Sequence, residues 1–564
     1  MKNYSEYFRK FQCLYLIIVL FSGIVTVCGL VKTYFLSIVI DDVIQRENIG
    51  LFKEIIVLLL LFTLTEYACS YVIGYLNTHI SQEISYDLRK RILDKIYRIS
   101  VHKFQNQTSS QFLVNMTEDV EKITNLLCNY IMTLMNSIFT VIMTIGFILY
   151  LNPKLAWISF VIVTLQIVIS CRLSIITKKN QQEILLNNEK HMGLVRQIVT
   201  HIRCIRAYRS EKSMGRKYDC VSKKIVALNY KSYLISYIYG SMNGIISFIS
   251  SLVIFIMGVI AVYNGTLTIG ILFVFDSLTG ILSGSISNIV NVVIAWTKAT
   301  VSIKRLNAVL AESEEEHSGM EIEENITHIQ FNDVCFAYQD LPVLEQFTYT
   351  FTSGNLYVII GNSGIGKSTL AETILKFNTP DSGTIFVNNV DLYSVSAKSI
   401  RSKVAMVFQD GILLDNCSIK ENITYGQDVS DECLKEVVDA CNIKEFTDNL
   451  ELGLDTLITE NGTNFSGGEK QRIYVARALL RSCDVYIFDE SFTGMDPVLT
   501  QKMIDFIEHF LADKIVIIIS HDVSLFRKNE NIIVFEQDHR ISFGNDSYLM
   551  QYSDNYRRFV GGKY

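Results

Sequence analysis

The sequence predicts a chain of two unlike domains. An all-α membrane domain of six helices with long cytoplasmic helical extensions comes first, and an α/β domain built around a phosphate-binding loop follows. Three observations predict this. Hydrophobic residues make up 49% of the 564 residues and charged residues only 19%, below the roughly 25% usual in soluble proteins, and the mean hydropathy is +0.27. Apolar residues gather before about residue 300 in runs long enough to cross a bilayer. Beyond about residue 328, short apolar runs alternate with helical ones, and one leads into Gly361-Asn362-Ser363-Gly364-Ile365-Gly366-Lys367-Ser368-Thr369, the pattern G-x-x-x-x-G-K-[ST]. The expected divisions are 1–310 for the membrane domain, 311–327 for an acidic, solvated linker, and 328–564 for the α/β domain.

The first apolar run, 14–40, is too long for a signal-peptide core and lacks a small-residue cleavage pattern, so it is expected to be retained. Five more follow near 55–76, 129–151, 155–176, 233–262 and 268–297. About 20 residues at 1.5 Å cover a ~30 Å hydrocarbon core, so each suffices. Lys and Arg crowd the connections after the second and fourth runs (Arg89 to Lys103, Lys178 to Lys217), while the other loops are short or acidic. This charge asymmetry puts both termini and both long connections in the cytoplasm. The chain is thus read as a multi-pass protein of a bacterial cell membrane, the source inferred from abundant Lys, Ile and Asn with only 4 Pro.

The long connections are helical hairpins. No Gly or Pro occurs between Leu76 and Thr144, and Ile84, Leu88, Ile92, Ile96 and Ile99 recur at helical spacing. Turns are expected near 101–110 and 209–214. Two carboxylates stand inside apolar runs, Glu66 and Asp276. Charges at such depth are costly and face bundle interiors or wet cavities. One reading has them line a substrate pathway that favours cations; the other has them hydrogen-bonded between helices or solvated near the outer interface.

The chemistry lies in the second domain. Gly361, Gly364 and Gly366 let backbone N–H groups curl around phosphate oxygens at a helix start. Lys367 can reach the β- and γ-phosphates, and Ser368 is placed for Mg²⁺. The apolar strand ending in Asp489-Glu490 offers one carboxylate to Mg²⁺ and another to polarise a water. Ser466-Gly467-Gly468-Glu469 opens a helix and makes a second anion site. Gln409 can join metal or water, His521 ends another apolar strand, and Tyr338 either stacks on a base or is an ordinary strand tyrosine. The twelve cysteines show no C-x-x-C or metal-ligand spacing, and no basic, aromatic-interleaved patch suggests nucleic acid.

In this order and spacing, the pieces resemble the nucleotide-binding domain of the ATP-binding cassette (ABC) family. The resemblance makes Tyr338 the adenine-stacking residue, 361–369 the Walker A loop, Gln409 the Q-loop, 465–469 the signature, Asp489 and Glu490 the Walker B end, Asp496 the D-loop and His521 the switch. The signature reads F-S-G-G-E where the family has mostly L-S-G-G-Q. Six spans ahead of the cassette resemble an exporter-type half-transporter. The resemblance implies ATP and Mg²⁺ as cofactors, a second half-transporter as partner, and export of an unidentified small molecule, lipid or peptide by alternating access. A homodimer is favoured over a heterodimer because the single copy has both Glu490 and a nearly regular signature. The alternatives are an importer of the same architecture and an ATP-gated channel.

Overall fold

The computed structural model describes residues 4–46, 48–101, 109–315, 319–338, 341–459, 462–522, 531–536 and 541–560. The chain divides into two compact units, one comprising Met1–Ile99 with Gln107–Ser313 and the other running from Glu314 to Tyr564.

The first unit is helical. Its long helices are α1 (Gln12–Ile38, continued by a π-helical turn, Val39–Ile44), α2 (Ile49–Ile96), α3 (Ile131–Leu151), α4 (Pro153–Thr200), α5 (Glu211–Tyr263) and α6 (Ile269–Ala311). Among the described residues, five helical runs are long and apolar enough to cross a membrane: Gln12–Ile44, Gly50–Ile96, Phe112–Leu151, Glu211–Tyr263 and Ile269–Ala311. They contain five of the six expected spans. The remaining one, 155–176, falls inside α4, several of whose side chains lie outside the described residues.

The 48 residues of α2 span about 72 Å at 1.5 Å each, more than twice the hydrocarbon core. What carries the helix on is its apolar stripe. Ile80, Ile84, Leu88 and Ile92 are buried, and they join a cluster with Val120, Ile123 and Leu126 from the segment leading into α3. A stripe at i, i+4 that finds such a partner holds helix far beyond the length propensity alone would support. The second hairpin turns as expected. A short helix, Ile202–Ala207, ends before Arg209, whose φ is +49°, and α5 starts at Glu211. The expected first turn lies largely outside the described residues.

At the end of α1, Asp41 does something its position in a short acidic loop did not reveal. Its Oδ1 accepts the Gly270 N–H at 2.8 Å, capping the start of α6 beside the cap supplied by Thr268. A Cβ on Gly270 would sit 2.5 Å from both Asp41 Oδ2 and the Ser37 carbonyl oxygen. Gly270→Ala should therefore cost about 1–3 kcal/mol of overpacking, read as a lower midpoint of thermal unfolding in detergent; an unchanged midpoint contradicts this contact.

The second unit holds two sheets. Strands β1 (His328–Tyr338), β2 (Leu341–Thr352), β4 (Ser382–Val387) and β5 (Val390–Asp391) form an antiparallel sheet ordered β2-β1-β4-β5. The second sheet takes β3 (Asn355–Gly361), β6 (Val404–Val407), β7 (Val485–Asp489), β8 (Ile515–Ile519), β9 (Ile532–Phe535) and β10 (Ile541–Gly544), in the order β10-β9-β3-β8-β7-β6. All its neighbours are parallel except β9 and β10. The central strands β3, β7 and β8 are almost wholly buried, which is why they read as unbroken apolar runs rather than alternating ones. Helices α7 (Lys367–Ile374) and α10 (Gly467–Leu479) pack on strands of this sheet; α8 (Ile419–Thr424) and α9 (Asp431–Ala440) pack on α10, and α9 also on α11 (Pro497–Phe510).

The acidic stretch read as a solvated linker is mostly exposed in its described part, yet it is not loose. From Glu315 on it is laced to its own unit. Arg401 pairs with Glu315, Lys403 donates to the carbonyls of Glu323 and Glu324, and the Ile326 N–H donates to Asp484. The excess of glutamates masked a spaced apolar set, with Ile326 buried and Ile322 packed against the same core.

Candidate functional site

Strand β3 ends at Gly361 and α7 starts at Lys367, so the phosphate-binding loop is the turn between them. Gly364 and Gly366 have φ of +80° and +108°, a region L side chains rarely adopt. At Gly366 space is lacking as well, because a Cβ would meet Val343 Cγ1 at 2.3 Å. Gly366→Ala should distort the loop and abolish measurable nucleotide binding, as read by fluorescent-nucleotide titration; unaltered affinity would show that the loop tolerates a side chain there.

Lys367 is buried, and its Nζ donates to the carbonyl oxygens of Gly361 (2.7 Å) and Asn362 (2.9 Å). The ammonium is thus stored inside the loop. Burial pushes it below the usual lysine range, against the opposing pull of Glu490 and Asp489. Asp489, at the C-terminal end of β7, is 2% exposed. Burial pushes its carboxyl up, while a hydrogen bond from Ser368 pulls it down. Its Oδ1 is buried with no partner among the described residues. A buried, unpartnered carboxylate oxygen beside a serine hydroxyl is the donor set a hard cation accepts, so these residues fit Mg²⁺.

Glu490 leaves the strand with φ +48°, left-handed for a residue with a side chain. Such a conformation costs on the order of 1–3 kcal/mol and persists only where its surroundings hold it. Here the Glu490 N–H donates to the Ile519 carbonyl at 3.0 Å. Its two side-chain oxygens are held by different residues: Gln409 Nε2 donates to Oε2 at 2.7 Å, and His521 Nε2 lies 2.5 Å from Oε1. Ser363 Oγ reaches the same His521 nitrogen at 3.3 Å. Four segments far apart in sequence thus converge on one small volume. Ser363 belongs to the loop expected to bind nucleotide, but its contact with His521 could not be read from the sequence. The Tyr338 backbone ends β1, and its side chain lies outside the described residues.

The remaining expected residues gather elsewhere in the same unit. Ser466, Gly467, Gly468 and Asp496 line a half-open cleft of about 630 Å³, together with Arg472 and Lys502. None of the phosphate-loop residues lines it. Asp496 caps α11, accepting the Leu499 N–H at 3.1 Å. Ser466 and Glu469 form a capping box at the start of α10. The Ser466 N–H donates to Glu469 Oε2 at 2.6 Å, and the Glu469 N–H donates to Ser466 Oγ at 3.3 Å. The odd residue of the signature is therefore turned back on its own helix, away from the cleft. Since glutamine serves a capping box equally well, Glu469→Gln should change ATP turnover less than about twofold; a larger change would mean the carboxylate acts on the nucleotide.

Comparison with known proteins bears on the whole chain. The family model for the ABC transporter transmembrane region matches residues 15–286, and the one described as ABC transporter matches residues 344–493. The chain is an ABC transporter. The transporter is 27% identical to the ATP-dependent lipid A-core flippase of Syntrophus aciditrophicus over 91% of this chain and 86% of that protein. It is 27% identical to the lactococcin-G-processing and transport ATP-binding protein of Lactococcus lactis, over 96% and 77% respectively. The fold superposes on a bacterial Atm1-family ABC exporter solved with ATP bound, with a TM-score of 0.85 at 18% identity, covering 99% of this chain and 98% of that one. It has the exporter half-transporter architecture, a helical membrane domain fused to one cassette.

The transporter's two intramembrane carboxylates are both engaged. Asp276 on α6 accepts a hydrogen bond from Ser251 on α5, the interhelical arrangement weighed above. Glu66 on α2 forms an ion pair with Lys32 on α1. Of the two readings left open for Glu66, this contact is of the interhelical kind: the pair is neutral overall, so Glu66 by itself does not argue for cationic cargo. Lys32 was overlooked because a single lysine within a 27-residue apolar helix reads as a snorkelling side chain until its partner is known.

Proposed function

We propose that this transporter exports an amphiphilic substrate across a bacterial cell membrane, driven by ATP hydrolysis in a homodimer with six spans per chain and both termini cytoplasmic. The observation that carries the reading is the convergence of Lys367, Ser368, Asp489, Glu490, Gln409 and His521 around one loop. In this reading Lys367 exchanges its loop carbonyls for the β- and γ-phosphate oxygens. The start of α7 adds its N–H groups and partial positive charge. Ser368 and Asp489, with Gln409, would hold Mg²⁺, which when bound neutralises phosphate charge. Glu490 accepts a proton from the attacking water as the new P–O bond forms and the bond to the leaving ADP oxygen breaks. His521 holds Glu490 in its strained conformation and touches the γ-phosphate.

The two separate anion sites support a dimer, and one chain that carries both Glu490 and a nearly regular signature supports a homodimer. The phosphate loop and the Ser466–Asp496 cleft share no lining residue, so a nucleotide gripped by both takes one from each chain. Closure of two cassettes around ATP is then the switch. The relatives' names, a lipid A-core flippase and a bacteriocin transporter, support cargo that is part apolar and part polar. The test is ATP-dependent uptake into inside-out proteoliposomes with lipid and peptide probes, alongside the native mass in nanodiscs. Export predicts vectorial accumulation and a mass of two chains. Movement only in the opposite direction overturns export, and full activity in a monomeric preparation overturns the dimer.

A further inference from the structure

Lys32 and Glu66 form an ion pair in the middle of the membrane unit. Glu66 lies about 16 Å along α2 from Ile55, where the apolar run begins, roughly half a hydrocarbon core. Two features set the pair apart from the other polar groups in these spans. Most of those are satisfied locally: the hydroxyls of Thr33 and Thr65 donate to the carbonyls of Gly29 and Leu61 one turn back, and Ser250 donates to Ile246. Lys32 and Glu66, by contrast, are not fully satisfied. Among the described residues each has the other as its one hydrogen-bond and ion-pair partner, so Lys32 keeps two donors and Glu66 an oxygen. The pair is also unsealed, with the lysine side chain 26% and the glutamate 30% exposed. Open donors and acceptors on full charges cannot face hydrocarbon. They need a wet passage or a ligand, and two apolar residues would have packed α1 against α2 at lower cost.

We propose that Lys32 and Glu66 form a cargo subsite for a zwitterionic head, in which an anionic group on the substrate takes Lys32 and an ammonium takes Glu66. This rests on the export reading and names its substrate class. A zwitterion is the one head that leaves neither charge of the separated pair uncompensated. A purely cationic or anionic head strands one partner in a low-dielectric setting, a penalty that selects against it. The anion can be a phosphate, as in an ethanolamine lysophospholipid, or a carboxylate, as in an alkylated amino acid.

The experiment uses the full transporter in proteoliposomes and four probes of matched chain length: lysophosphatidylethanolamine, 2-aminotetradecanoic acid, tetradecylamine and tetradecanoate. Half-maximal ATPase stimulation and vesicle uptake are measured for each. At least one zwitterion should act at a concentration about fivefold or more below both single-charge probes, a modest coupling between sites; which zwitterion acts identifies its anion. Lys32→Met with Glu66→Met should erase that ranking, whereas the exchange Lys32→Glu with Glu66→Lys should preserve it, since both charges remain, and it also controls for folding. An unchanged ranking in the Met pair overturns the proposal. So does a shifted dimer fraction with unchanged ranking, which assigns the pair to the contact between two copies. If either singly charged probe is moved as well as the zwitterions, only this proposal fails. If nothing is moved and no probe alters ATPase activity, the export reading fails with it.

Discussion

Glu490→Gln is expected to lower steady-state ATP hydrolysis by at least about 100-fold, within the range a positioned general base supplies, while ATP still binds. The substitution conserves shape, so the left-handed backbone at φ +48° and the bond from its N–H to Ile519 can persist. What changes is chemistry. The carboxylate now accepts from both Gln409 and His521; an amide keeps one acceptor oxygen, loses one of those bonds, and has no site for the water's proton. Nucleotide-bound dimer should then accumulate, because closure needs ATP binding whereas reopening needs hydrolysis. Stopped-flow nucleotide binding and single-turnover hydrolysis separate the two. Near-normal turnover would move the base to another residue.

Lys367→Ala is expected to act one step earlier, weakening nucleotide affinity as well as turnover. A charge-assisted hydrogen bond to phosphate is worth about 1.5–3 kcal/mol, which converts to roughly 10- to 150-fold in dissociation constant. The apo geometry adds a second effect. The ammonium now holds the Gly361 and Asn362 carbonyls inside the loop, so its removal leaves them without that donor and loosens the loop before any nucleotide arrives. Lys367→Met, which fills a similar volume, isolates the packing part: it keeps the side-chain bulk and loses both the charge and the donor to the two carbonyls. Isothermal titration should place Met between wild type and Ala. Equal affinity in all three would mean the side chain does not meet the phosphates.

Much of the architecture was legible from pattern. Apolar runs of bilayer length mark their helices irrespective of neighbours, because every backbone polar group in hydrocarbon must be satisfied within its own segment. The buried strands β3, β7 and β8 read as continuous apolar stretches for a similarly local reason. The loop 361–369 carries its own conformational demand in its glycines. Ile84, Leu88 and Ile92 announced a helix beyond the membrane, although nothing in that stripe said that Val120, Ile123 and Leu126 would cover it.

By itself, then, the sequence determined the two-domain order, the helical membrane half and the phosphate loop, because each rests on periodicity or on residue type at short spacing; Asp489 and Glu490 stood out as the end of an apolar strand, and Gln409 and His521 only through the resemblance to the ABC family. Tertiary structure alone decided the rest. It bent Glu490 into a left-handed conformation between Gln409 and His521 and laced the glutamate-rich stretch beside Arg401 to its own unit. It also set Lys32 against Glu66, 34 positions apart in the chain, in a pair that is neutral overall. The physical reason is common to all three. Whether a charged side chain is free, paired or strained depends on which groups lie within a few ångströms, and for groups on different elements that distance is set by packing and not by sequence separation.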